Sequence, residues 1–367
     1  MTPVLRFALA AAVALLAACQ PVQEAARSAF APPGANTRGL DPALLEATLT
    51  RGEALPRLNS LIVARDGEVV AERVFKGPGL DRPVNIKSAS KSVLAALVGV
   101  AVGRGTLRLD QPAVSVLEGR VPAGADPRVS DITVQHLLTM RAGLQSTSGP
   151  NYGAFAASPD WVRYALSRPF EDEPGGRMIY STGTSHILSA VLTEAADRST
   201  LALARDWLGK PLGVEVPDWP RDPQGVHFGG NDMRLSPRAM LAFGELYRNN
   251  GVVDGRRVLP EGWVEQSWMP QGVSRFSGAG YGYGWWIGQI GRHPVRYAWG
   301  YGGQMIFVLP SLRMTVVMTS DADARSTDGH LQALRALVSD GLVPAAERGA
   351  GTPPQPSSLA RTPAALP

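Results

Sequence analysis

The segment that most constrains the fold is the stretch from Asn85 to Gly105, NIKSASKSVLAALVGVAVGRG. The apolar run that begins at Val93 predicts a helix. That run is too short to span a bilayer, so we expect the helix to be buried in a globular domain. If the helix begins near Ser88, Lys91 lies one turn later on the same face. A hydroxyl and an amine held that close can serve as nucleophile and base in acyl transfer.

The local sequence also allows a purely structural interpretation of the two residues. Ser88 could cap the helix, and Lys91 could be a solvated residue of the first turn. The catalytic interpretation draws support from the unpaired N–H groups at the start of a helix, which favour developing negative charge. The same positive end makes a protonated Lys91 less stable, which would help Lys91 to act as a base in a dry site.

Composition and charge narrow the functional classes. The chain has 367 residues, 44% of them hydrophobic, and a formal net charge of only +4, which describes an ordinary globular protein with a full core. No basic run interleaved with aromatic residues is present, so nucleic-acid binding is not predicted. The five histidines lack metal-ligand spacing, and His136 and His186 fall in apolar helical runs where satisfied core histidines are expected. We predict no metal and no cofactor.

The first residues predict export and lipid attachment. Residues 1–18 form an apolar leader that is typical of a secretory signal peptide. The leader ends in Leu-Ala-Ala-Cys, which resembles the lipobox of bacterial lipoproteins, so the resemblance implies a lipid on Cys19. Gln20 after the cysteine implies sorting to the periplasmic face of the outer membrane. The alternative is a soluble secreted protein whose leader happens to contain the single cysteine of the chain.

The rest of the chain predicts one large domain with helices and strands. Residues 19–39 are rich in Ala, Pro and Gln and predict a flexible tether, and a folded domain is expected over residues 40–343. Asp41-Pro42 predicts a helix start, and two strand-like runs around Asp66-Gly67 predict a hairpin. Helical patches without strand signals over about 106–225 predict an inserted subdomain: Thr133–Met140, Asp160–Leu166, Thr184–Ala196 and Leu201–Leu208.

The last third predicts further helices and strands. Helices are expected at Pro237–Tyr247, Pro260–Ser267 and about His330–Ser339, and strands at Tyr283–Ile290, Gln304–Leu309 and Met314–Thr319. The Pro- and Ala-rich residues 344–367 predict a disordered tail.

Two further motifs could carry chemistry. Tyr180-Ser181-Thr182 leads into a helix, where a tyrosine can pass a proton between nucleophile and leaving group; the alternative is a packed aromatic residue. Trp299-Gly300-Tyr301 precedes a predicted strand, where an edge strand with a free N–H could help to hold an oxyanion. The alternative there is a glycine-rich turn beside aromatic residues.

Taken together and in this order, the motifs resemble the serine β-lactamase and penicillin-binding-protein superfamily. The similarity is greatest to its class C-like branch of esterases, peptidases and 6-aminohexanoate-dimer hydrolases, and it runs from about Leu58 to Leu342. Two further segments contribute to it: His136–Leu144 and Tyr281–Trp286. The resemblance implies an α/β (α+β) fold of the β-lactamase/transpeptidase type, with a mainly antiparallel sheet flanked by helices and a mostly helical inserted subdomain.

The resemblance also implies roles for individual residues. Ser88 would be the acylated nucleophile, Lys91 its proton partner and Tyr180 the third member of the site. The backbone N–H groups of Ser88 and Tyr301 would form the oxyanion hole. Substrate contacts are implied for Thr182, Trp299 and Gly300.

The chain departs from the family pattern at two places. Thr182 replaces the asparagine of the usual Tyr-x-Asn, an amide that often contacts the substrate. Ala298-Trp299-Gly300 replaces the Lys-Thr-Gly of true β-lactamases, so the usual cation for a substrate carboxylate is missing from that strand.

We therefore expect a serine hydrolase that cleaves an amide or ester bond in a small-molecule or peptide-like substrate, tethered to the cell envelope through Cys19. Two alternatives remain open. One is a DD-peptidase or β-lactamase acting on peptidoglycan-like or β-lactam substrates. The other is a non-catalytic, tethered binding protein.

Overall fold

A computed structural model describes residues 37–117, 119–323 and 329–349. The predicted signal peptide, Cys19 and the tether up to residue 36 lie outside the described residues, as does the chain from residue 350 onward. Within the described ranges, no helix has the length and apolar character needed to cross a membrane.

Helices and strands occur in blocks along the described chain: its middle is helical, and six strands follow one another in its last third. The helices are α1 (Pro42–Glu53), α2 (Ser90–Gly103), α3 (Val134–Leu138), α4 (Tyr152–Ala156), α5 (Trp161–Leu166), α6 (Thr182–Ala196), α7 (Thr200–Leu203), α8 (Lys210–Leu212), α9 (Pro237–Arg248), α10 (Trp263–Ser267), α11 (His330–Leu337) and α12 (Val343–Gly349). The strands are β1 (Leu58–Arg65), β2 (Glu68–Val74), β3 (Val84–Asn85), β4 (Arg234–Leu235), β5 (Val252–Val253), β6 (Arg256–Arg257), β7 (Gly272–Val273), β8 (Gly280–Tyr281), β9 (Trp286–Ile290), β10 (His293–Gly300), β11 (Gln304–Leu309) and β12 (Met314–Ser320).

Eight strands form one antiparallel sheet in the order β2-β1-β12-β11-β10-β9-β8-β7. The predicted hairpin around Asp66-Gly67 is confirmed as β1 and β2, with Arg65 opposite Glu68. The first strands of the chain therefore pair with its last long strand, since Val63 of β1 lies opposite Val316 of β12. Strands from the start and from the end of the domain are therefore neighbours within one sheet.

Side chains alternate between the two faces of the sheet, as strand geometry requires. Ile62 and Ala64 of β1 enter the core under α2 and α9, whereas Leu61 and Val63 enter the core under α1, α11 and α12. The sheet is thus covered by helices on both faces, and the predicted arrangement of antiparallel strands flanked by helices is confirmed.

Local sequence signals explain several element boundaries. Asp41 accepts hydrogen bonds from the N–H groups of Ala43 and Leu44, both at 3.0 Å, so α1 begins where the Asp-Pro pair predicts. The patches predicted as helical between residues 106 and 225 contain α3, α5, α6 and α7, and a π-helical turn over 204–209 follows α7.

Two predictions of the sequence are wrong. Disorder is predicted from Pro344, yet residues 344–349 belong to α12, and the Ala345 carbonyl accepts a hydrogen bond from the Asp41 N–H at 2.9 Å. The strand that follows Tyr301 is predicted to be an edge strand. Tyr301 does precede a strand, β11, but β11 lies in the interior of the sheet between β10 and β12, and the edges of the sheet are β2 and β7.

Candidate active site

Ser88 lies in a short 3-10 turn, Lys87–Ala89, immediately before α2. The turn is tight: Lys87 has a positive φ of 49°, and the Lys87 N–H donates to the Asn85 side-chain oxygen at 2.8 Å. The helix itself begins at Ser90, so Ser88 precedes it and does not cap it. Ser88 is partly exposed, which leaves its hydroxyl accessible to a ligand.

Lys91 is buried, with 3% of its surface exposed, so the interpretation of this residue as a solvated first-turn lysine is wrong. Its Nζ donates to the Ser88 Oγ at 3.2 Å and to the Gly230 carbonyl at 2.7 Å. Burial lowers the pKa of Lys91 from 10.5 to about 7, although the negative charge of Asp232 opposes part of that shift. A neutral amine beside a serine hydroxyl is therefore available near pH 7.

Tyr180 completes the cluster from a distant part of the chain. Burial raises the pKa of its hydroxyl to about 12, a shift that a hydrogen bond with the Ser88 side chain partly offsets. The Lys91 Nζ lies over the Tyr180 ring, 5.0 Å from its centroid. The ring also stacks on Trp286 at 5.5 Å and meets Tyr281 edge-on at 6.0 Å, so neighbouring aromatic residues fix its orientation.

A loop of three hydroxyl residues, Ser146–Ser148, holds Tyr180 and the start of α6 in place. The Ser146 Oγ donates to the Tyr180 carbonyl at 2.7 Å. The Thr147 Oγ1 accepts from the Gly183 N–H at 2.7 Å, and the Ser148 Oγ accepts from the Thr182 N–H at 2.9 Å. These contacts cap the first turn of α6 from outside the helix. Sequence reasoning missed the loop, although three consecutive hydroxyl residues were a visible signal.

Thr182, a predicted substrate contact, is buried at the start of α6. Its hydroxyl lies 3.0 Å from the Ser148 Oγ, and 4% of the residue is exposed. The side chain that replaces the family's asparagine is thus engaged with the capping loop. Its contact with a substrate stays a prediction.

The end of β10 approaches the turn that carries Ser88. A Cβ on Gly300 would lie 2.2 Å from the Ile86 carbonyl oxygen, so only glycine allows the strand and the turn to come this close. Trp299 lies one residue earlier, with its ring 5.8 Å from that of Trp286. Tyr301 follows in the turn with about half of its surface exposed. The predicted oxyanion and substrate residues of this segment therefore lie at the end of the strand that approaches the Ser88 turn, and their roles stay predictions.

A polar cluster that sequence reasoning missed flanks the same turn. Asp232 accepts a hydrogen bond from the Asn85 side chain at 2.8 Å, and the Lys87 Nζ lies 3.4 Å from the same oxygen. The pairing of β3 with β4 places these residues together, with Asn85 opposite Arg234. No sequence pattern pairs residue 85 with residue 232, which explains why the cluster was not predicted.

No group of three or more His, Cys, Asp or Glu side chains among residues 37–117, 119–323 and 329–349 could hold a metal ion. His186 is fully buried and hydrogen-bonded, so its prediction as a satisfied core histidine is confirmed. His136 is hydrogen-bonded, since its Nδ1 accepts from the Thr133 N–H at 3.3 Å, but it is only partly buried, so the core position predicted for it is wrong. The chemistry that this arrangement can perform is that of a nucleophilic hydroxyl beside a neutral amine and a neutral phenol.

Comparison with known proteins agrees with this geometry. Residues 58–339 match the profile of the Beta-lactamase family, which is most of the chain. The chain belongs to the Beta-lactamase family. The family resemblance and the fold predicted from the motifs are thereby confirmed.

Individual relatives are more distant. Esterase EstB of Burkholderia gladioli is 28% identical over 189 residues, which is 47% of this chain and 48% of that protein, so the alignment spans about half of the relative's length. A provisionally named 6-aminohexanoate-dimer hydrolase from Bacillus anthracis has a similar structure, with a TM-score of 0.66, 18% identity, and coverage of 84% of this chain and 83% of that one. The D-amino acid amidase from Ochrobactrum anthropi SV3 has a TM-score of 0.64 and 16% identity, with coverage of 82% and 99%.

Proposed function

We propose that this chain is a serine hydrolase that cleaves amide or ester bonds through an acyl-serine intermediate. The observation that carries the proposal is the convergence of Ser88, Lys91 and Tyr180 in one partly exposed site. Support comes from the Lys91 pKa of about 7, since a general base works best when its pKa lies near the working pH. Membership in the Beta-lactamase family and similarity to an esterase and an amidase support the same reaction class.

In the first half-reaction, neutral Lys91 takes the proton of Ser88 as the Ser88 Oγ attacks the carbonyl carbon. The oxyanion that forms is held by the N–H groups of Ser88 and Tyr301, a contribution typically worth about two to three powers of ten in rate. The tetrahedral intermediate then collapses, and the bond to the leaving nitrogen or oxygen breaks. The proton on Lys91 reaches the leaving group through the Tyr180 hydroxyl.

In the second half-reaction, water replaces the leaving group. Lys91, neutral again, takes a proton from the water as its oxygen attacks the acyl carbon. The ester bond to Ser88 breaks, the proton returns to the Ser88 Oγ, and the acid is released. Tyr180 stays a neutral donor throughout, because its pKa of about 12 lies far above neutral pH.

The walls of the site favour substrates other than β-lactams. Ala298, Trp299 and Gly300 occupy the strand positions where β-lactamases of the family carry Lys-Thr-Gly, so β10 offers no cation to a substrate carboxylate at these positions. Trp299, which is partly exposed and packs against the buried Trp286, instead provides aromatic surface. We therefore propose an amide or ester without an obligatory carboxylate, with Thr182, Trp299 and Gly300 contacting it.

The decisive experiment is labelling with a fluorophosphonate followed by intact-mass and peptide analysis. A single adduct on Ser88 is expected, and Ser88→Ala should abolish it. A hydrolysis panel of short p-nitrophenyl esters, 6-aminohexanoate oligomers, nitrocefin and D-Ala-D-Ala peptides then ranks substrates. Absence of any Ser88 adduct, with no turnover in the panel, would leave the non-catalytic binding protein as the better description.

We further propose that the mature chain is tethered to the cell envelope through a lipid on Cys19. The support is the leader and its Leu-Ala-Ala-Cys ending, which lie outside the described residues. Palmitate incorporation in the native bacterial host is expected for the natural chain and should vanish in Cys19→Ser. Equal incorporation in both chains would refute the anchor without affecting the hydrolase proposal.

A further inference from the structure

A fully buried histidine and aspartate form a pair in the helical part of the domain, close to Lys91. The His186 Nε2 lies 2.9 Å from the Asp222 Oδ2, and neither side chain is exposed to solvent. Aromatic rings surround the histidine, the nearest of which is that of Trp161, with 5.2 Å between centroids. In so dry a setting, each polar atom of the pair needs a partner.

The hydrogen bonds of the pair fix the tautomer of His186. The Gly229 N–H donates to the Nδ1 at 3.2 Å, so the Nδ1 is an acceptor and the ring proton sits on the Nε2, facing Asp222. The other oxygen of Asp222 accepts from the N–H groups of Gln224 and Val226 at 2.9 and 2.8 Å. These donors and His186 lower the pKa of Asp222, although burial acts in the opposite direction.

His186 therefore binds the backbone of Gly229, and the next residue along the chain, Gly230, binds Lys91. Gly230 follows Gly229, and its carbonyl accepts from the Lys91 Nζ at 2.7 Å. The packing allows no side chain on either glycine. A Cβ on Gly229 would lie 2.3 Å from the Ser185 carbonyl oxygen, and one on Gly230 would lie 2.5 Å from the Lys91 Cγ.

We propose that His186 and Asp222 are positioning residues of the hydrolase, which hold the Gly229–Gly230 backbone so that the Gly230 carbonyl binds the amine of Lys91. The inference rests on the proposed function, in which Lys91 is the base. It extends the site to a chain of contacts that runs from Asp222 through His186 and the two glycines to Lys91 and Ser88.

Two substitutions distinguish the positioning role of His186 from a role in which its ring only fills space in the core. Asparagine places its oxygen near the position of the histidine Nδ1, so His186→Asn keeps an acceptor for the Gly229 N–H and loses the contact with Asp222. Glutamine places its amide near the Nε2, so His186→Gln keeps the contact with Asp222 and loses the acceptor. Both remove the ring and are expected to lower thermal stability by similar amounts.

The expected kinetic results differ. His186→Gln should lower kcat/KM for a p-nitrophenyl ester roughly tenfold to a hundredfold, as small misplacements of a catalytic group do. His186→Asn should keep most of the kcat/KM that His186→Gln loses. A purely structural role predicts equal effects, because both variants lose the same aromatic packing.

The pH profile supplies a second readout. The Gly230 carbonyl stabilises the protonated amine, so displacing it should lower the pKa of Lys91 and move the acidic limb of kcat/KM down by about one pH unit. The ionisable and charged groups that face Lys91 are Tyr180 and Asp232, and Lys87 pairs with Asp232. None of these three is altered in either variant.

Asp222→Asn tests the same chain of contacts without touching the histidine. The side-chain oxygen of the introduced asparagine is expected to stay with the two backbone N–H donors, which turns its NH₂ toward the His186 Nε2. The ring proton must then move to the Nδ1, where it opposes the Gly229 N–H. This variant should reproduce the rate loss and the shifted limb of His186→Gln, and it decides the question if His186→Gln does not fold.

His227→Gln is the matched control. His227 is also buried and lies 2.9 Å from an aspartate, Asp218, but its Nδ1 has no hydrogen-bond partner in the described part of the chain. The acidic limb of this variant should stay at the native pH. The positioning role is overturned if His186→Gln or a folded Asp222→Asn keeps the acidic limb at the native pH and a kcat/KM within about twofold of the natural chain. It is also overturned if neither variant folds. Failure of the natural chain to label at Ser88 would instead refute the proposed function.

Discussion

Lys91 lies in an environment that destabilises its charged form. A buried amine loses its hydration, and the main compensation visible around it is a carbonyl, a hydroxyl and the more distant charge of Asp232. Because burial destabilises the charged amine, Lys91 releases its proton more easily, and its pKa falls to about 7. The same release makes the amine available for the general-base role that we propose for Lys91.

The first prediction is that kcat/KM for an ester substrate rises with pH and levels off above about pH 7. Only neutral Lys91 can take the Ser88 proton, and its pKa in the free enzyme is about 7. A stopped-flow or steady-state profile from pH 5 to 9 measures the midpoint. Lys91→Ala should lower acylation by at least roughly a hundredfold on the plateau above pH 7. The loss should shrink at lower pH, where Lys91 of the natural chain is itself protonated. A flat profile in the natural chain would contradict Lys91 as the base.

The second prediction concerns stability. The pKa of Lys91 is about 7 in the folded chain and 10.5 in the unfolded one. Between these values the unfolded chain binds a proton that the folded chain has released, so the free energy of unfolding contributed by this residue rises with pH. Lys91→Met removes that penalty and should stabilise the protein more at pH 6.5 than at pH 9.

Urea titrations at the two pH values measure the difference. Lys76→Met, a change at an exposed lysine, controls for the loss of a charge and should show no such trend. An equal effect of Lys91→Met at both pH values would show that burial does not shift the pKa of this amine.

At the scale of elements, the first turn of α6 is capped by a neighbouring loop. Ser181 is the N-cap residue, yet its own side chain accepts no capping bond and instead accepts from the Thr147 N–H at 3.1 Å. Thr147 and Ser148 satisfy the unpaired N–H groups of Gly183 and Thr182. Since Tyr180 lies just before this turn, and its carbonyl accepts from the Ser146 Oγ, the same loop positions both the cap and Tyr180.

The third prediction is that Thr147→Val lowers the free energy of unfolding by about 1 kcal/mol, the usual cost of a lost cap, and also lowers kcat. The rate falls because Tyr180 loses part of the support for its position. Ser199→Ala is the matched control: it removes the cap of α7, where Ser199 accepts from the Ala202 N–H, at an exposed site. Thermal melts and kcat for both variants give the comparison. Equal losses of kcat in the two variants would show that the loop does not position Tyr180.

The elements that sequence reasoning missed have physical explanations. The strand β10 was not predicted because its sequence, HPVRYAWG, carries a proline and an arginine among the apolar residues. Pro294 is tolerated because it is exposed and close to the start of the strand. The helix α12 was predicted as disorder because of its proline and alanines. Proline fits the first turn of a helix, and alanine favours helix strongly.

At the scale of the whole molecule, residues from distant parts of the chain meet because the fold packs a turn, a helix and a loop against one another. The order of motifs was enough to predict the family, and with it the meeting of Ser88, Lys91 and Tyr180. The chain of contacts through Asp222, His186 and Gly229 was beyond such reasoning. Its contacts span 36 and 43 residues and depend on how α6 packs, which no local pattern records.

The ends of the domain are joined on the face of the sheet that α1, α11 and α12 cover. Val343, Ala345 and Ala346 of α12 are buried there, and a Cβ on Gly349 would overlap the Gly39 carbonyl oxygen. The C-terminal helix therefore completes the core that α1 begins. Ser88 and Lys91 instead belong to the turn and helix on the opposite face of the sheet.

The fourth prediction follows from that separation. A chain that ends at Leu342 loses α12. Its free energy of unfolding should be at least about 2 kcal/mol lower, because it lacks a valine and two alanines that are otherwise buried. A chain that ends at Gly349 keeps every contact described for α12 and serves as the control. Urea unfolding of the two chains gives the difference in stability. The acidic limb of kcat/KM should lie at the same pH in both chains, because the surroundings of Lys91 are unchanged.

Equal stability of the two chains would mean that α12 adds little to the core. A shifted acidic limb in the shorter chain would mean that the two faces of the sheet are coupled.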